Sequence, residues 1–136
     1  MRYQECIVFL LAKAYQKAHG NLKRKLAAFG LTPVQVLVIE ALRDEEGLSA
    51  GEMGRRMSLD SATLSGVLDR LAEKGWIVKE TDSADKRSLR LYLGQKARNL
   101  SETIAVERER ANEEILDELT LEERVLLKRL LRHVTG

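Results

Sequence analysis

The sequence predicts a mainly α-helical fold that carries one small β-hairpin. Three observations lead to this prediction. Apolar residues recur at helical spacing through most of the chain. Residues 49–75 contain two helix-capping signals separated by a short turn. Residues 76–93 then change to the alternation that is typical of half-buried strands, around a polar turn.

The N-terminal third of the chain is predicted to form two helices. Apolar residues recur at helical spacing over residues 3–28, and Gly30 is placed to stop this first helix. Thr32 then provides an N-cap and Pro33 occupies the first helical position, where its missing N–H costs nothing. A second helix is therefore expected to run to about Asp44.

Two short helices follow, each with its own capping residue. Ser49 and Glu52 have the spacing of a capping box, and Asp60 is placed to cap the next helix. The buried stripe predicted for that helix consists of Leu64, Val67, Leu68 and Leu71. Its exposed first turns carry the short side chains of Ser61, Ala62, Thr63 and Ser65. Short side chains allow a helix N-terminus to lie deep in the major groove of DNA, where such residues contact base edges.

The hairpin follows directly. Gly75 is expected to end the helix in a left-handed conformation, and Leu89, Leu91 and Leu93 alternate with polar residues as in a half-buried strand. The turn between the strands, residues 82–87, ends in the cations Lys86 and Arg87. Two helices followed by a hairpin with a basic tip indicate a winged helix-turn-helix, with Arg87 directed at phosphates or into a minor groove.

The terminal segments are predicted to be dimerisation helices. Two helices are expected after the wing, and Thr120 with Glu123 forms a second predicted capping box. Such helices have more apolar surface than one small domain covers, although they could also fold back on their own chain. The sequence therefore predicts one domain, 1–136, with dimerisation helices at 1–30 and 95–136 and a DNA-binding lobe at 31–94. A homodimer would present two recognition helices to half-sites roughly one helical turn apart on double-stranded DNA.

Composition limits the classes of protein without selecting one. The 136 residues carry a formal charge of +2, with 44% hydrophobic and 32% charged residues. Residues 1–30 hold six basic groups and one acidic group, with 23–25 all basic, which is also typical of a solvated helix face. No apolar run approaches the roughly 18 residues of a membrane span, and no signal-peptide cleavage site is evident. These features, with a single cysteine, favour a cytoplasmic protein without membrane association.

In three segments the sequence resembles the MarR family of transcriptional regulators. The matching text is LTPVQVLVIEAL at 31–42, LDSATLSGVLDRLAEKGWI at 59–77, and the D-x-R signature at 85–87. The resemblance covers essentially the whole chain. It implies a homodimer on a pseudo-palindromic operator, usually a repressor that releases DNA when it binds a small aromatic or lipophilic effector or is oxidised.

Regulation is predicted at two alternative places. Tyr15, His19 and Trp76 are the predicted lining of an effector cleft between the terminal helices and the lobe. A peroxide-sensing thiol at Cys6 is the alternative, because one branch of the family carries a reactive cysteine in its first helix. Alignment on residues 31–33, however, places Val8 at that branch's cysteine position, which favours the effector.

Some residues and some classes of protein allow more than one interpretation. Arg70 either contacts a phosphate or pairs with Asp85 and holds the wing. His19 and His133 belong to no cluster with metal-ligand spacing, and neither a metal site nor a cofactor is expected. An enzyme is disfavoured because no phosphate-binding loop, nucleophile elbow or catalytic cluster is present. An adaptor that has lost DNA binding is the other alternative. The predicted DNA contacts are Ser49, Ser61, Ala62, Thr63, Ser65, Arg70, Lys86 and Arg87.

Overall fold

The computed structural model describes all residues from Met1 to Gly136. The helices are α1 (Ile7–Leu26), α2 (Pro33–Asp44), α3 (Ala50–Met57), α4 (Ser61–Glu73), α5 (Gln95–Ile115) and α6 (Leu121–Thr135). The strands are β1 (Leu48–Ser49), β2 (Ile77–Thr81) and β3 (Leu89–Leu93). The predicted class, mainly α with a small β-hairpin wing, is confirmed.

The chain divides into two compact units. One, which we call the lobe, is Leu26–Ala105, and the other, the terminal unit, combines Met1–Lys25 with Val106–Gly136. No single helix is both long and apolar enough to cross a membrane, although the interrupted pair Ile7–Phe29 and Pro33–Asp44 passes by length and composition taken together.

Side-chain caps set the beginnings of α2, α3, α4 and α6, as the sequence predicted. The Thr32 hydroxyl accepts a hydrogen bond from the Gln35 backbone N–H, and the Gln35 side chain accepts from the Thr32 N–H in return. Thr120 and Glu123 form the same reciprocal box at α6. Each box satisfies backbone donors that a helix leaves unpaired in its first turn.

The N-terminal segment is less regular than predicted. Instead of one helix over 3–28, a 3-10 turn at Tyr3–Glu5 precedes α1, and a second 3-10 turn at Ala27–Phe29 follows it. Gly30 ends this segment with a φ of 69°, in the left-handed region that glycine adopts without a steric penalty. The predicted stop at this glycine is therefore confirmed.

The sheet contains one strand more than the predicted hairpin. Its order is β1-β3-β2, with both pairings antiparallel, and Leu48 pairs with Leu91 in the first of them. The predicted inward face of β3 is confirmed for Leu91 and Leu93, which are buried, but Leu89 is 39% exposed. Strand β1 joins the loop before α3 to the wing, so the wing is anchored on the helix-turn-helix.

A close backbone contact connects the end of α4 with the start of α5 in the lobe. The Gly94 N–H donates to the Trp76 carbonyl at 2.8 Å, and a Cβ on Gly94 would lie 2.2 Å from the Gly75 carbonyl oxygen. Trp76 is fully buried, and its ring lies 4.6 Å from Lys96 Nζ. Only glycine fits at position 94, because any side chain would overlap this backbone.

The terminal unit joins its helices through polar contacts. Glu114 on α5 accepts hydrogen bonds from Lys25 and Asn21 on α1, at 2.7 and 2.9 Å, and these donors lower the pKa of its carboxyl group. Arg124 on α6 pairs with Glu113 at 2.8 Å. Large apolar side chains nevertheless remain exposed on α1 and α6, namely Ile7, Val8, Leu10, Leu11, Leu121, Val125, Leu126, Leu130, Leu131 and Val134.

Candidate nucleic-acid interface

The first turn of α4 is a capped helix start with an open polar face. The Asp60 carboxylate accepts hydrogen bonds from the Thr63 backbone N–H at 2.8 Å and from the Thr63 hydroxyl at 3.1 Å. These bonds, the backbone one above all, lower the pKa of Asp60. The four predicted readers on this helix, Ser61, Ala62, Thr63 and Ser65, are all exposed. The stripe predicted to be buried is buried, so the helix presents its short side chains outward.

Ser49 lies at the start of α3 and is partly buried. Its hydroxyl accepts the Glu52 backbone N–H at 3.1 Å, which makes it the N-cap that the sequence predicted. The reciprocal half of the predicted capping box is not formed, because the Glu52 carboxylate instead faces Arg90 at 3.6 Å. The Ser49 oxygen is thus already engaged in the fold, and its contact with DNA stays a prediction.

Arg70 does not hold the wing. It makes no ion pair or hydrogen bond, so the alternative in which it pairs with Asp85 is wrong. Its guanidinium lies along α4 beside Gly66, where an added Cβ would be 3.4 Å from Arg70 Nη2. The Asp85 carboxylate turns toward Arg87 instead, accepting its backbone N–H at 3.1 Å. Arg70 is therefore an exposed cation available to an anionic partner.

The tip of the wing carries two exposed cations, Lys86 and Arg87. The Arg87 side chain is 93% exposed, and its contact with Asp85, at 3.4 Å, is long and open to solvent. Exposed pairs of this kind contribute little, so the guanidinium is available to another partner. Lys86 beside it is exposed and makes no ion pair.

Sequence reasoning missed two residues of this surface. Arg55 on α3 is exposed and unpaired, and it packs against Gly51 on the preceding turn. The first helix of a helix-turn-helix crosses the DNA backbone, so a basic residue on its outer face could have been singled out. Lys79 on β2 pairs with Asp69 on α4 at 2.6 Å, which the sequence spacing did not reveal.

A cavity of about 330 Å³ lies between α3, α4 and the wing strands of the lobe. Ser61 and Ser65 contribute to its rim, Leu64 and Leu89 to its apolar wall, and Arg55 to its charged edge. No pattern in the sequence predicts this cavity. Because its lining includes exposed residues of the α4 N-terminus, an occupant would lie at the same surface that the capped helix presents.

The three residues predicted to line an effector cleft have different surroundings. Tyr15 and His19 lie one turn apart on α1 in the terminal unit, with ring centroids 5.3 Å apart. Tyr15 is 67% exposed. Trp76 belongs to the core of the lobe, and its indole N–H is buried without a hydrogen-bond partner. Their role in binding an effector stays a prediction. No group of three or more His, Cys, Asp or Glu residues could hold a metal ion.

Taken together, α3, α4 and the wing define a winged helix-turn-helix protein. The family model described as the MarR family matches residues 29–88. The transcriptional regulator SarZ of Staphylococcus haemolyticus is 30% identical over 128 residues, which are 94% of this chain and 86% of that protein. The chain belongs to the MarR family.

Other relatives match less of their own length. The regulator TtmR of Methylorubrum extorquens is 40% identical over 68% of this chain, but the match spans only 46% of TtmR. A SarZ of Staphylococcus epidermidis is likewise matched over 54% of its length. The chain thus spans about half the length of these curated relatives.

Two solved structures agree with the fold over its whole length. BpsR of Bordetella bronchiseptica, described in a study of how 6-hydroxynicotinic acid regulates its DNA binding, has a TM-score of 0.93 and 28% identity. That match covers 100% of this chain and 97% of BpsR. A cysteine-to-serine mutant of MarR from E. coli, complexed with operator DNA, has a TM-score of 0.89 and 25% identity, covering 100% and 99%.

Proposed function

We propose that this protein is a sequence-specific DNA-binding transcriptional regulator that acts as a homodimer on a pseudo-palindromic operator. The observation that carries the proposal is the set of exposed cations on α3, α4 and the wing: Arg55, Arg70 and Lys86 have no ion pair, and Arg87 has only a long, solvent-exposed contact with Asp85. The formal net charge of the chain is only +2, but the binding of phosphates depends on where the exposed cations lie. With chromosomal DNA as its partner, the proposed site of action is the cytoplasm.

Base recognition is assigned to the α4 N-terminus. Its exposed serines and threonine are small enough to let the helix approach base edges, and hydroxyl groups donate or accept there. The engaged Thr63 hydroxyl donates to Asp60 and retains only acceptor capacity toward a base. Ser61 and Ser65 have no such partner, so they are the more versatile readers.

The homodimer is proposed from the terminal unit. Helices α1 and α6 expose ten large aliphatic side chains, more than the scattered apolar residues that are normal on a protein surface. A large exposed apolar surface of this kind marks an interaction site. A second copy is the occupant, because a two-fold dimer also matches a palindromic site. Leu130→Glu is expected to give monomers that no longer bind operator. Leu37→Glu, at a position on α2 that is 46% exposed against 49% for Leu130, is the matched control and should remain dimeric.

The decisive experiment is a fluorescence anisotropy titration with the DNA upstream of the protein's own gene and with a shuffled duplex. We expect tighter binding to one palindromic segment than to the shuffled duplex, by a factor that persists as salt is raised. Equal binding to both duplexes would contradict sequence specificity. Absence of binding to either would favour the protein-interaction adaptor. No catalytic activity is part of the proposal.

A second candidate function is release of DNA by a small aromatic acid. Two observations favour it: the cavity beside α4, and the regulation of the structural neighbour BpsR by 6-hydroxynicotinic acid. Such a ligand acts only through its difference in affinity between DNA-competent and incompetent states. Benzoate and 6-hydroxynicotinate should lower operator affinity, and the cavity-filling Ala50→Leu variant should lose that response.

Oxidation is the competing regulatory input. Cys6 is a partly buried free thiol in the terminal unit. The Cys6→Ser protein is expected to respond to aromatic acids as the wild type does, and organic peroxide should release neither protein from DNA. Release by peroxide alone, abolished in Cys6→Ser, would replace the effector proposal with a thiol sensor.

A further inference from the structure

Arg90, on β3, connects three separate segments of the lobe. Its Nε donates to the Asp82 carboxylate at 3.0 Å, and its Nη1 donates to the Gly47 carbonyl at 3.1 Å. The same Nη1 lies 3.6 Å from the Glu52 carboxylate on α3. One guanidinium therefore joins the wing loop, the turn before β1 and the first helix of the helix-turn-helix. Its planar set of donors allows one side chain to reach all three.

Asp82 is the residue from which the wing loop is built. Its carboxylate also accepts the Ala84 backbone N–H at 2.8 Å, and its own N–H donates to the Ser88 carbonyl at 2.9 Å. The Ser88 N–H in turn donates to the Asp85 carbonyl at 2.9 Å. The Ala84 N–H first, and then Arg90, lower the pKa of Asp82, so the carboxylate is charged at neutral pH. Lys86 and Arg87 lie inside the loop that these bonds close.

The other end of the connection is fixed by the backbone. Gly47 has a φ of 85°, and its N–H donates to the Leu91 carbonyl at 2.8 Å. Its carbonyl thereby becomes a stationary acceptor for Arg90 next to β3. The wing loop is thus tied to the same turn that leads into α3 through Ser49.

Arg90 differs from the wing-tip cations in charge balance and exposure. Two carboxylates, those of Asp82 and Glu52, lie at its guanidinium, whereas Arg87 has a single long contact. The Arg90 side chain is 37% exposed, against 93% for Arg87. Because its charge is already neutralised, Arg90 would gain little binding energy from a phosphate. It can instead restrict the motion of the loop that carries the exposed cations Lys86 and Arg87.

We propose that Arg90 is a positioning residue for the wing, which holds the loop 82–88 on the helix-turn-helix so that Arg87 is directed at DNA, without itself contacting DNA. The inference rests on the proposed function and deepens it. A preordered loop loses less conformational entropy on binding, so the contribution of Arg90 passes through Arg87.

A double-mutant cycle on operator binding tests this route. Arg90→Gln is expected to weaken binding about tenfold in the wild-type background and less than twofold in the Arg87→Ala background, because residues that act through one another are not additive. Arg90→Gln should leave the salt dependence of residual binding steeper than Arg87→Ala does, since it removes no phosphate contact. Arg98→Gln, which breaks a comparable pair with Glu46 on the same lobe, is the matched control. Equal losses in both backgrounds would overturn the proposal.

A second measurement needs no DNA and separates this inference from the proposed function. Hydrogen exchange of the free protein should show the Ala84 and Ser88 amides losing at least tenfold protection in Arg90→Gln, with the α4 amides unchanged. Asp82→Asn should cause the same loss of protection. Arg90→Lys should keep only part of the protection, because an ammonium group is a point charge and lacks the planar set of donors of a guanidinium. Unchanged wing protection would refute the positioning role even if operator binding is confirmed. Failure of the wild type to bind any duplex, with wing protection lost as expected, would refute the proposed function alone.

Discussion

Gly66→Ala should change the stability of the recognition helix and its affinity for operator DNA in opposite directions. Gly66 lies inside α4, where glycine costs about 1 kcal/mol relative to alanine. An added Cβ meets only the Arg70 guanidinium, at 3.4 Å, and no neighbouring helix or strand. The substitution should therefore stabilise the fold by about 1 kcal/mol, which corresponds to a rise in Tm of roughly 3–5 °C for a chain of this size.

Operator binding should change in the opposite direction. The new methyl group lies in van der Waals contact with the Arg70 guanidinium, at 3.4 Å, and limits the positions from which this cation can reach a phosphate. We expect a loss of about 1 kcal/mol per half-site, hence about 2 kcal/mol for a dimer, or roughly thirtyfold in Kd. The assay pairs thermal unfolding with anisotropy titration of the operator.

Gly20→Ala provides the matched control. Gly20 lies inside α1, and an added Cβ there meets only the Arg24 guanidinium, at 3.5 Å. It has the same local geometry but belongs to the terminal unit, so it should gain stability and keep operator affinity. If Gly66→Ala also keeps full affinity, the reasoning that assigns Gly66 and Arg70 to the DNA surface is refuted.

Three further predictions concern single positions. Ser65→Ala should change preference among operator variants by roughly 1–3 kcal/mol at one base pair per half-site, whereas an equal loss on random duplexes would mark it as a positioning contact. Hydrogen bonds from Thr63 lower the pKa of Asp60 below its ordinary value of 3.8. The charged cap therefore stabilises the fold at neutral pH, and this stabilisation is lost as the pH falls below 3.8 and through the lowered pKa. Acid titration of Tm should therefore be shallower in Asp60→Asn, and identical curves would contradict a titrating cap. Gly94→Ala should destabilise the lobe by about 2 kcal/mol or more, since backbone must move, and a Tm within 2 °C of the wild type in thermal unfolding would contradict the close contact.

Local features of the fold were predictable from the sequence because their causes lie within a few residues. The caps at Thr32, Asp60 and Thr120 each depend on an oxygen and a backbone N–H three positions apart, a spacing visible in the letters. The left-handed ends at Gly30 and Gly75 follow from the absence of a Cβ. For this reason the order and type of the helices were predicted correctly.

Features that join distant parts of the chain were not predictable in the same way. Strand β1 has two residues and exists only because Leu48 meets Leu91, so no local alternation announces it. Glu52 has the spacing of a capping residue, yet its carboxylate faces Arg90 from across the lobe. The sequence left open whether Arg70 contacts a phosphate or pairs with Asp85, whereas the contacts with the wing loop and with the turn before β1 are made by Arg90, which β3 places beside both.

The two units of the chain carry different intrinsic reporters. The only tryptophan, Trp76, is buried in the lobe beneath Lys96, whereas the only cysteine, Cys6, lies in the terminal unit. Indole emission therefore follows unfolding of the lobe alone. With an acceptor dye attached to Cys6, energy transfer from Trp76 would report the distance between the two units. Adding DNA or an aromatic acid would then show, without any engineered substitution, whether binding changes that distance.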